Sequence, residues 1–123
     1  MTRILIVEDS EVIRAQVRMA LSELKCEILE GGNGLEGLKL LEANIDINLI
    51  ITDLNMPELD GMEMCRRARQ LPAYEKVPIF ILTTEGSHDL KMRAREIGVT
   101  GWIVKPFKPE ILLLAVKKIT KSV

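Results

Sequence analysis

The chain has few of the features by which secreted, metal-binding and membrane proteins are recognised. Its two cysteines, Cys26 and Cys65, lack the paired spacing of a structural metal site. We interpret them as reduced thiols of a cytoplasmic protein. The longest apolar run, 111–116, is far shorter than the ~20 residues that a membrane span needs. The chain begins with strand-like residues and lacks the apolar region and cleavage site of a signal peptide.

The chain also lacks an excess of charge of either sign. The 17 basic and 18 acidic residues give a net charge of −1, so the whole chain has no electrostatic attraction to nucleic acid or to an anionic membrane. Hydrophobic residues make up 47% of the chain and charged residues 28%, which indicates a folded core. Because no linker or low-complexity tract interrupts the sequence, we expect one domain over 1–123.

Short apolar runs alternate with segments of helical period. The runs are continuous, which is typical of strands covered on both faces, and they are 3–7, 26–29, 48–51, 78–82 and 101–104. Strict alternation of strand and helix predicts an α/β fold with a parallel sheet and helices on both faces.

Capping signals mark the ends of the helices. The predicted helices begin at residues 10, 33, 60, 87 and 109, and the first extends to residue 24. The residues that carry these signals are Ser10, Asn33 with Glu36, Asp60 with Glu63, Ser87, Gly98 at a helix C-terminus, and Pro109.

Polar residues follow the strands at the edge of the sheet where ligands bind in such folds. They are Glu8 and Asp9 after the first strand, Asp53 after the third, Thr83, Thr84 and Glu85 at the fourth, and Lys105 after the fifth. Crowded carboxylates repel one another and attract a cation, and all-oxygen ligands suit Mg²⁺. A lysine and a threonine hydroxyl suit phosphoryl oxygens, and a carboxylate can form an aspartyl phosphate.

Each of these residues also has an ordinary interpretation. Asp9 is compatible with a helix start, Asp53 with a turn and Lys105 with a solvated surface, while Thr83 suits the end of any strand. Because four such explanations must coincide at four strand ends, we favour a phosphoryl site.

Four segments resemble the response-regulator receiver domain, of the stand-alone, chemotaxis (CheY-like) type. They are ILIVEDS (4–10), LIITDLNMPELDG (49–61), ILTTEG (81–86) and WIVKPF (102–107). The resemblance covers essentially the whole chain. It implies a doubly wound, flavodoxin-like sheet of five parallel strands in the order 2-1-3-4-5, with five helices and no output domain.

The resemblance assigns roles to the acidic residues. Asp53 is expected to accept a phosphoryl group from a histidine kinase or a small acyl phosphate. Asp9 and Asp53 are expected to bind Mg²⁺ directly, Glu8 through water, and Asn55 through its backbone carbonyl. A phosphoacceptor of this kind is a signalling protein rather than an enzyme, although it assists its own phosphorylation and dephosphorylation.

The resemblance also assigns switch residues. Lys105 is expected to pair with the phosphoryl group, and the Lys105–Pro106 peptide bond is expected to be cis. Thr83 is expected to move toward the phosphoryl oxygens on activation. Trp102 stands where the family usually has a tyrosine or phenylalanine whose ring turns inward. We expect the larger indole to resist a full inward swing; the alternative is a surface-packing aromatic.

Of the remaining residues, two are expected to affect the lifetime of the phosphoryl bond, and three are interpreted as having no part in the site. Asn55 and Glu85 occupy positions that tune the lifetime of the phosphoryl bond, in a pairing that resembles fast-dephosphorylating chemotaxis regulators. Glu58 is interpreted as a solvated loop residue, Asp60 as a helix cap, and His88 as an ordinary surface residue rather than a phosphodonor.

The last helix predicts a partner surface. The run 111–116 is too apolar for every side chain to be buried, so an exposed patch beside Trp102 is expected to contact a protein partner; the alternative is that a loop covers it. We expect a monomer that switches its helix-4, strand-5, helix-5 face for a target such as a flagellar motor switch or a phosphatase.

Three other functions are alternatives to this interpretation of the sequence. A phosphorelay shuttle would pass the phosphoryl group to a histidine phosphotransfer protein. A phosphatase with an aspartyl nucleophile resembles a pattern with an acid two residues later, where this chain has Asn55, which cannot protonate a leaving group. Flavin binding is disfavoured because Glu8 and Asp9 repel a cofactor phosphate.

Overall fold

The computed structural model describes residues 1–121, in which strands and helices alternate as predicted. The elements are β1 (Thr2–Val7), α1 (Glu11–Ala20), β2 (Cys26–Gly31), α2 (Gly34–Ala43), β3 (Leu49–Thr52), α3 (Gly61–Arg69), β4 (Ile79–Thr83), α4 (His88–Ile97), β5 (Gly101–Val104) and α5 (Pro109–Thr120). A single 3₁₀ turn, Pro72–Tyr74, precedes β4. Residues 122–123 of the predicted domain lie outside the described part of the chain.

All five strands are parallel and lie in the order β2-β1-β3-β4-β5. The predicted α/β fold, its strand order and its helices are therefore confirmed. Across the described range 1–121, no helix is long and apolar enough to cross a membrane.

The sheet separates two apolar cores, because successive residues of a strand point to opposite faces. Leu5 and Val7 of β1 lie in the core beneath α2, α3 and α4. Ile4 and Ile6 lie in the core beneath α1 and α5. Both cores are needed to hold the central strands, whose carboxyl ends carry the polar residues.

The edge strands are less buried than the sequence predicted. Every residue of β3 and β4 is buried, whereas β2 contains two exposed residues and Val104 of β5 is 50% exposed. An outer strand has a neighbour on one side only, so the helices that cover the centre of the sheet leave part of it open. The expectation that all five runs are covered on both faces was wrong for β2 and β5.

Most of the predicted caps are present. Side chains of Ser10, Asn33, Asp60 and Ser87 accept backbone N–H groups at the starts of α1 to α4, Gly98 has a left-handed φ of 88° after α4, and Pro109 opens α5. Three details differ. Glu36 accepts from the N–H of Gly32 instead of Asn33, Glu63 pairs with Arg66 and Arg67, and α1 ends at Ala20, with residues 21–23 in a turn.

Arg69, at the end of α3, fastens three segments together. Its guanidinium donates to four backbone carbonyl oxygens, those of Tyr74 (3.0 Å), Val77 (2.7 Å), Ile97 (3.0 Å) and Gly98 (2.8 Å). The last two belong to the end of α4, where carbonyl groups have no partner within the helix. One side chain thus holds the C-terminus of α4 against α3 and the segment before β4.

Candidate functional site

The carboxyl ends of three strands bring Glu8, Asp53 and Lys105 together. β1 and β3 are adjacent in the sheet, and the Asp53 N–H donates to Val7 O (3.0 Å), which continues the ladder past the end of the strand. On the other side, the Lys105 N–H donates to Thr83 O (2.8 Å) as β5 leaves the sheet. The sheet register itself therefore sets the positions of these residues.

Lys105 forms the centre of this site. Its Nζ lies 2.5 Å from Glu8 Oε1 and 2.9 Å from Asp53 Oδ2. The side chains of Lys105, Glu8 and Asp53 are only 13%, 3% and 9% exposed, so water screens these contacts weakly. Lys105 therefore bridges two carboxylates in a largely dry environment.

Burial and hydrogen bonding shift the pKa values of Lys105 and Glu8 in opposite directions. Burial by itself lowers the pKa of Lys105, but hydrogen bonds to Glu8 and Asp53 outweigh it, and the pKa lies above its usual value. Burial raises the pKa of Glu8, and the hydrogen bonds from Lys105 and the Ser10 N–H offset only part of this effect. The raised pKa of Lys105 keeps a fixed positive charge at the site.

The second oxygen of each buried carboxylate is also held. Glu8 Oε2 accepts the N–H of Ser10 (2.9 Å), and Asp53 Oδ1 accepts the N–H of Leu54 (2.7 Å). Arg14 donates to the backbone carbonyl of Glu8 (2.6 Å). Sequence reasoning missed the supporting roles of Ser10 and Arg14; the position of Arg14 one turn after the helix cap was the only signal.

Asp9 completes an acidic cluster at the edge of the site. Carboxylate oxygens of Glu8, Asp9 and Asp53 all lie within 4.8 Å of one another, and Asp9 is exposed. Three carboxylates face the single ammonium of Lys105, so the cluster has an excess of negative charge when all three are ionised. Such a set of hard oxygen donors fits Mg²⁺, which binds through one or two carboxylates and keeps several waters.

A glycine allows the loop after β3 to fold tightly over the site. A Cβ placed on Gly61 would lie 1.9 Å from the carbonyl oxygen of Asp53, and the Gly61 N–H donates to Leu54 O (2.9 Å). Only glycine fits this close approach. Of the other acids in the loop, Asp60 caps α3 through the Glu63 N–H (2.8 Å) and Glu58 is exposed with a φ of 70°, as predicted for both.

Comparison with known proteins identifies the family of this chain. The response regulator receiver domain family matches this chain over residues 4–117. The chain belongs to this family. Receiver domains are signalling phosphoacceptors of two-component systems, and they bind Mg²⁺ at an acidic pocket.

Relatives of this receiver domain include chemotaxis proteins and a transcriptional regulator. It is 38% identical to chemotaxis protein CheY1 of Helicobacter pylori, over 89% of this chain and 90% of that protein. It is 41% identical to transcriptional regulatory protein ResD of Bacillus subtilis, over 98% of this chain but only 48% of ResD. The structure of chemotaxis protein CheY4 of Vibrio cholerae superposes with a TM-score of 0.90 at 36% identity, covering 97% of this chain and 98% of CheY4.

Glu85 links the remaining predicted site residues of the receiver domain. Its side chain accepts from Asn55 Nδ2 (3.2 Å), its N–H donates to Thr83 Oγ1 (3.2 Å), and its carbonyl accepts from Trp102 Nε1 (3.1 Å). Thr83 is fully buried. The sequence placed Thr83 and Glu85 at the same edge of the sheet but gave no sign that Glu85 also contacts Asn55 and Trp102.

The other predictions concern β5, α5 and the start of α4. The Lys105–Pro106 peptide bond is cis, as expected. Val104, Ile111 and Leu114 are 50%, 54% and 61% exposed, so apolar side chains are exposed on β5 and α5. Trp102 is half-buried, and Lys91 Nζ lies 5.9 Å from the centroid of its ring. His88 is exposed, as predicted.

Proposed function

We propose that this receiver domain is a Mg²⁺-dependent phosphoacceptor that takes a phosphoryl group on Asp53 and signals in chemotaxis by binding a partner protein. The observation that carries this proposal is the placement of Lys105 Nζ between Asp53 and Glu8, 2.9 and 2.5 Å away, with Asp9 beside them. A cation at this position serves a phosphoryl group attached to Asp53.

The transfer step joins a carboxylate oxygen of Asp53 to phosphorus. With a kinase phosphohistidine as donor, the P–N bond breaks and the imidazole nitrogen keeps the electron pair and takes a proton. With an acyl phosphate, a P–O bond breaks and the carboxylate leaves. Lys105 supplies a fixed positive charge to the phosphoryl oxygens, and the Leu54 N–H orients the acceptor through its Oδ1. Bound Mg²⁺ supplies charge neutralisation at the phosphoryl oxygens.

In this proposal, the residues of the acidic cluster have two kinds of role: two bind the cation directly, and one supports the site. Asp9 and Asp53 would hold the cation directly, with the backbone carbonyl of Asn55 as a third protein ligand. Glu8 would act through water. Because both Glu8 oxygens also accept hydrogen bonds, one from Lys105 and one from Ser10, Glu8 additionally fixes the position of the ammonium.

The output is proposed to be the face formed by α4, β5 and α5. Thr83 would move toward the phosphoryl group, and Glu85 would transmit this to Trp102 through the hydrogen bonds that it shares with both. Asn55 and Glu85 would tune the phosphoryl lifetime. The exposed side chains of Val104, Ile111 and Leu114 supply an apolar contact for a partner.

The names of the relatives support the pathway. A protein called chemotaxis protein CheY1 aligns over 90% of its own length, whereas ResD is about twice as long as the matched part. We therefore propose a monomer that accepts a phosphoryl group from a histidine kinase in the cytoplasm and acts on a flagellar motor switch or a phosphatase.

The first prediction tests the acceptor. Incubation with acetyl phosphate and Mg²⁺ is expected to add the mass of one phosphoryl group to the intact protein, and Asp53→Asn is expected to abolish this, because an amide oxygen is a poor nucleophile. Glu58→Gln is the matched control, since Glu58 is an exposed acid of the same loop, and it should be phosphorylated normally. Equal labelling of Asp53→Asn and the wild-type protein would refute the assignment.

A second measurement separates signalling from relay. The phosphorylated protein is mixed with a histidine phosphotransfer protein and, separately, with a flagellar motor switch protein. Binding to the motor protein only in the phosphorylated state supports the proposal. Rapid transfer to the histidine, without such binding, supports a phosphorelay shuttle instead.

A further inference from the structure

A cleft of about 430 Å³ lies between α3 and α4, and the proposed phosphoacceptor function makes no use of it. Its volume falls within the range of small-molecule pockets. The lining includes Met62, Arg66, Arg69, Arg93, Glu96 and Ile97. None of the carboxylates of the acidic cluster contributes to this lining.

The cleft is rich in positive charge. Three guanidinium groups and one carboxylate line it, a surplus of two positive charges, although the whole chain has a net charge of −1. A concave wall with charge of one sign concentrates ions of the opposite sign. The cleft is therefore an attractive site for an anion.

The three arginines differ in how far their hydrogen bonds are already used. Arg69 is fixed by its four backbone carbonyl partners. Arg66 has one long ion pair, with Glu63 at 3.3 Å, and its side chain is 59% exposed. The side chain of Arg93 has no hydrogen-bond or ion-pair partner within residues 1–121. Two guanidinium groups are thus available to a ligand, next to one that is held rigidly.

We propose that the cleft between α3 and α4 binds a small organic oxyanion through Arg66 and Arg93, with its carbon skeleton against Met62 and Ile97. Guanidinium groups bind phosphate and carboxylate oxygens in pairs of parallel hydrogen bonds. Met62 and Ile97 both line the cleft; Ile97 is half-buried and Met62 is 6% exposed, so Ile97 supplies most of the apolar surface beside the charged groups. This combination suits an organic phosphate or an organic carboxylate better than an inorganic ion.

Phenyl phosphate and benzoate are suitable probes, because they share an apolar ring and differ in the anionic group. Each is titrated into the whole protein without divalent cations, so that phosphorylation of Asp53 does not contribute. Amide NMR shifts report the position of binding, and calorimetry reports the affinity. We expect saturable binding of at least one probe, with shifts centred on Met62, Arg93 and Ile97; the tighter probe identifies the anionic group. Inorganic phosphate should bind more weakly than phenyl phosphate.

Charge-neutralising variants test the arginines. Arg93→Gln and Arg66→Gln are each expected to weaken binding roughly tenfold or more, the usual effect of losing a charge-assisted hydrogen bond. Arg95→Gln is the matched control: it makes the same change of charge on α4, but Arg95 lines a different cleft, beside Trp102. Its affinity should stay within about twofold of the wild-type value. Arg93 and Arg95 are both exposed, so neither variant removes a buried contact.

Three results would overturn the proposal. The first is the absence of saturable binding by either probe. The second is an equal loss of affinity in Arg93→Gln and Arg95→Gln, which would indicate diffuse attraction to the surface of α4. The third is a set of shifts centred on Asp53 and Lys105, which would place the probe at the acceptor site.

Discussion

The charge balance of the site depends on one residue, Lys105. Its ammonium contacts two carboxylates, and the three side chains are almost completely buried. Buried ion pairs repay their desolvation only with good geometry and satisfied partners, and here the second oxygen of each carboxylate accepts a backbone N–H. The sequence predicted Lys105 as a partner for a phosphoryl group, but it did not predict the contacts of Lys105 with Glu8 and Asp53.

Trp102 provides a residue-scale prediction, because it is the only tryptophan and its indole N–H donates to the carbonyl of Glu85. Binding of Mg²⁺ or beryllofluoride at Asp53 is expected to change its fluorescence, since Thr83 is joined to the same glutamate. The measurement is an emission titration. Asp53→Asn, which removes the proposed ligand and acceptor carboxylate, should abolish the response to beryllofluoride. An unchanged wild-type spectrum at saturation would show that Trp102 does not report on the site.

At the scale of the elements, Arg69 connects α3 to the end of α4. Arg69→Met keeps the apolar stem but removes all four donors to carbonyl groups. We expect the free energy of unfolding to fall by about 1–3 kcal/mol, because three partly buried carbonyl groups and one exposed carbonyl group lose their partner. Urea unfolding, followed by circular dichroism, measures the change.

Arg67→Met is the control for that experiment. Arg67 lies on the same helix and is 47% exposed, and within residues 1–121 its side chain pairs only with Glu63 (3.1 Å). Exposed pairs of this kind contribute little, so the free energy of unfolding should change by less than about 0.5 kcal/mol. Equal losses in the two variants would mean that the carbonyl contacts of Arg69 contribute nothing beyond a surface charge.

The strands and helices also show which structural features the sequence could predict and which it could not. Continuous apolar runs and capping residues predicted every strand and helix because these signals are local. The exposure of β2 and β5 could not be read from the runs, because it depends on which strands lie at the edges. Arg69 was missed for a similar reason: two of its carbonyl partners lie 28 and 29 residues away. Its place on the stripe of Met62 and Cys65, on the buried side of α3, was the only available signal.

The sequence could predict which site residues lie close together, because the topology of the sheet brings them to the same edge. In a parallel sheet all carboxyl ends share one edge, so Glu8, Asp53 and Lys105 could be placed together from their positions after the strands. The individual contacts could not be predicted, since they depend on rotamers. The roles given to these residues remain predictions, to be tested by the phosphorylation and titration experiments.

For the whole molecule, the excess of negative charge at the site predicts that Mg²⁺ stabilises the fold. A cation that binds only the folded state adds about 1.4 kcal/mol at ten times its dissociation constant. For a domain of this size we expect the thermal midpoint to rise by roughly 4–8 °C. Differential scanning calorimetry, with and without Mg²⁺, measures this shift.

Asp9→Asn is the test variant, and Glu11→Gln is its control. Asp9 belongs to the acidic cluster, whereas Glu11 is an exposed acid in the first turn of α1. The first variant should lose most of the Mg²⁺-dependent shift, and the second should keep it. A full shift in Asp9→Asn would exclude Asp9 as a ligand.

The contact between Lys105 and Glu8 joins residues that are 97 positions apart. During synthesis, Glu8 and Asp53 leave the ribosome long before the lysine that pairs with them. A chain that stops before β5 contains Asp53 but lacks Lys105, which contacts it in the structure. On the proposed function, such a chain therefore lacks the positive charge that Lys105 supplies to the phosphoryl oxygens.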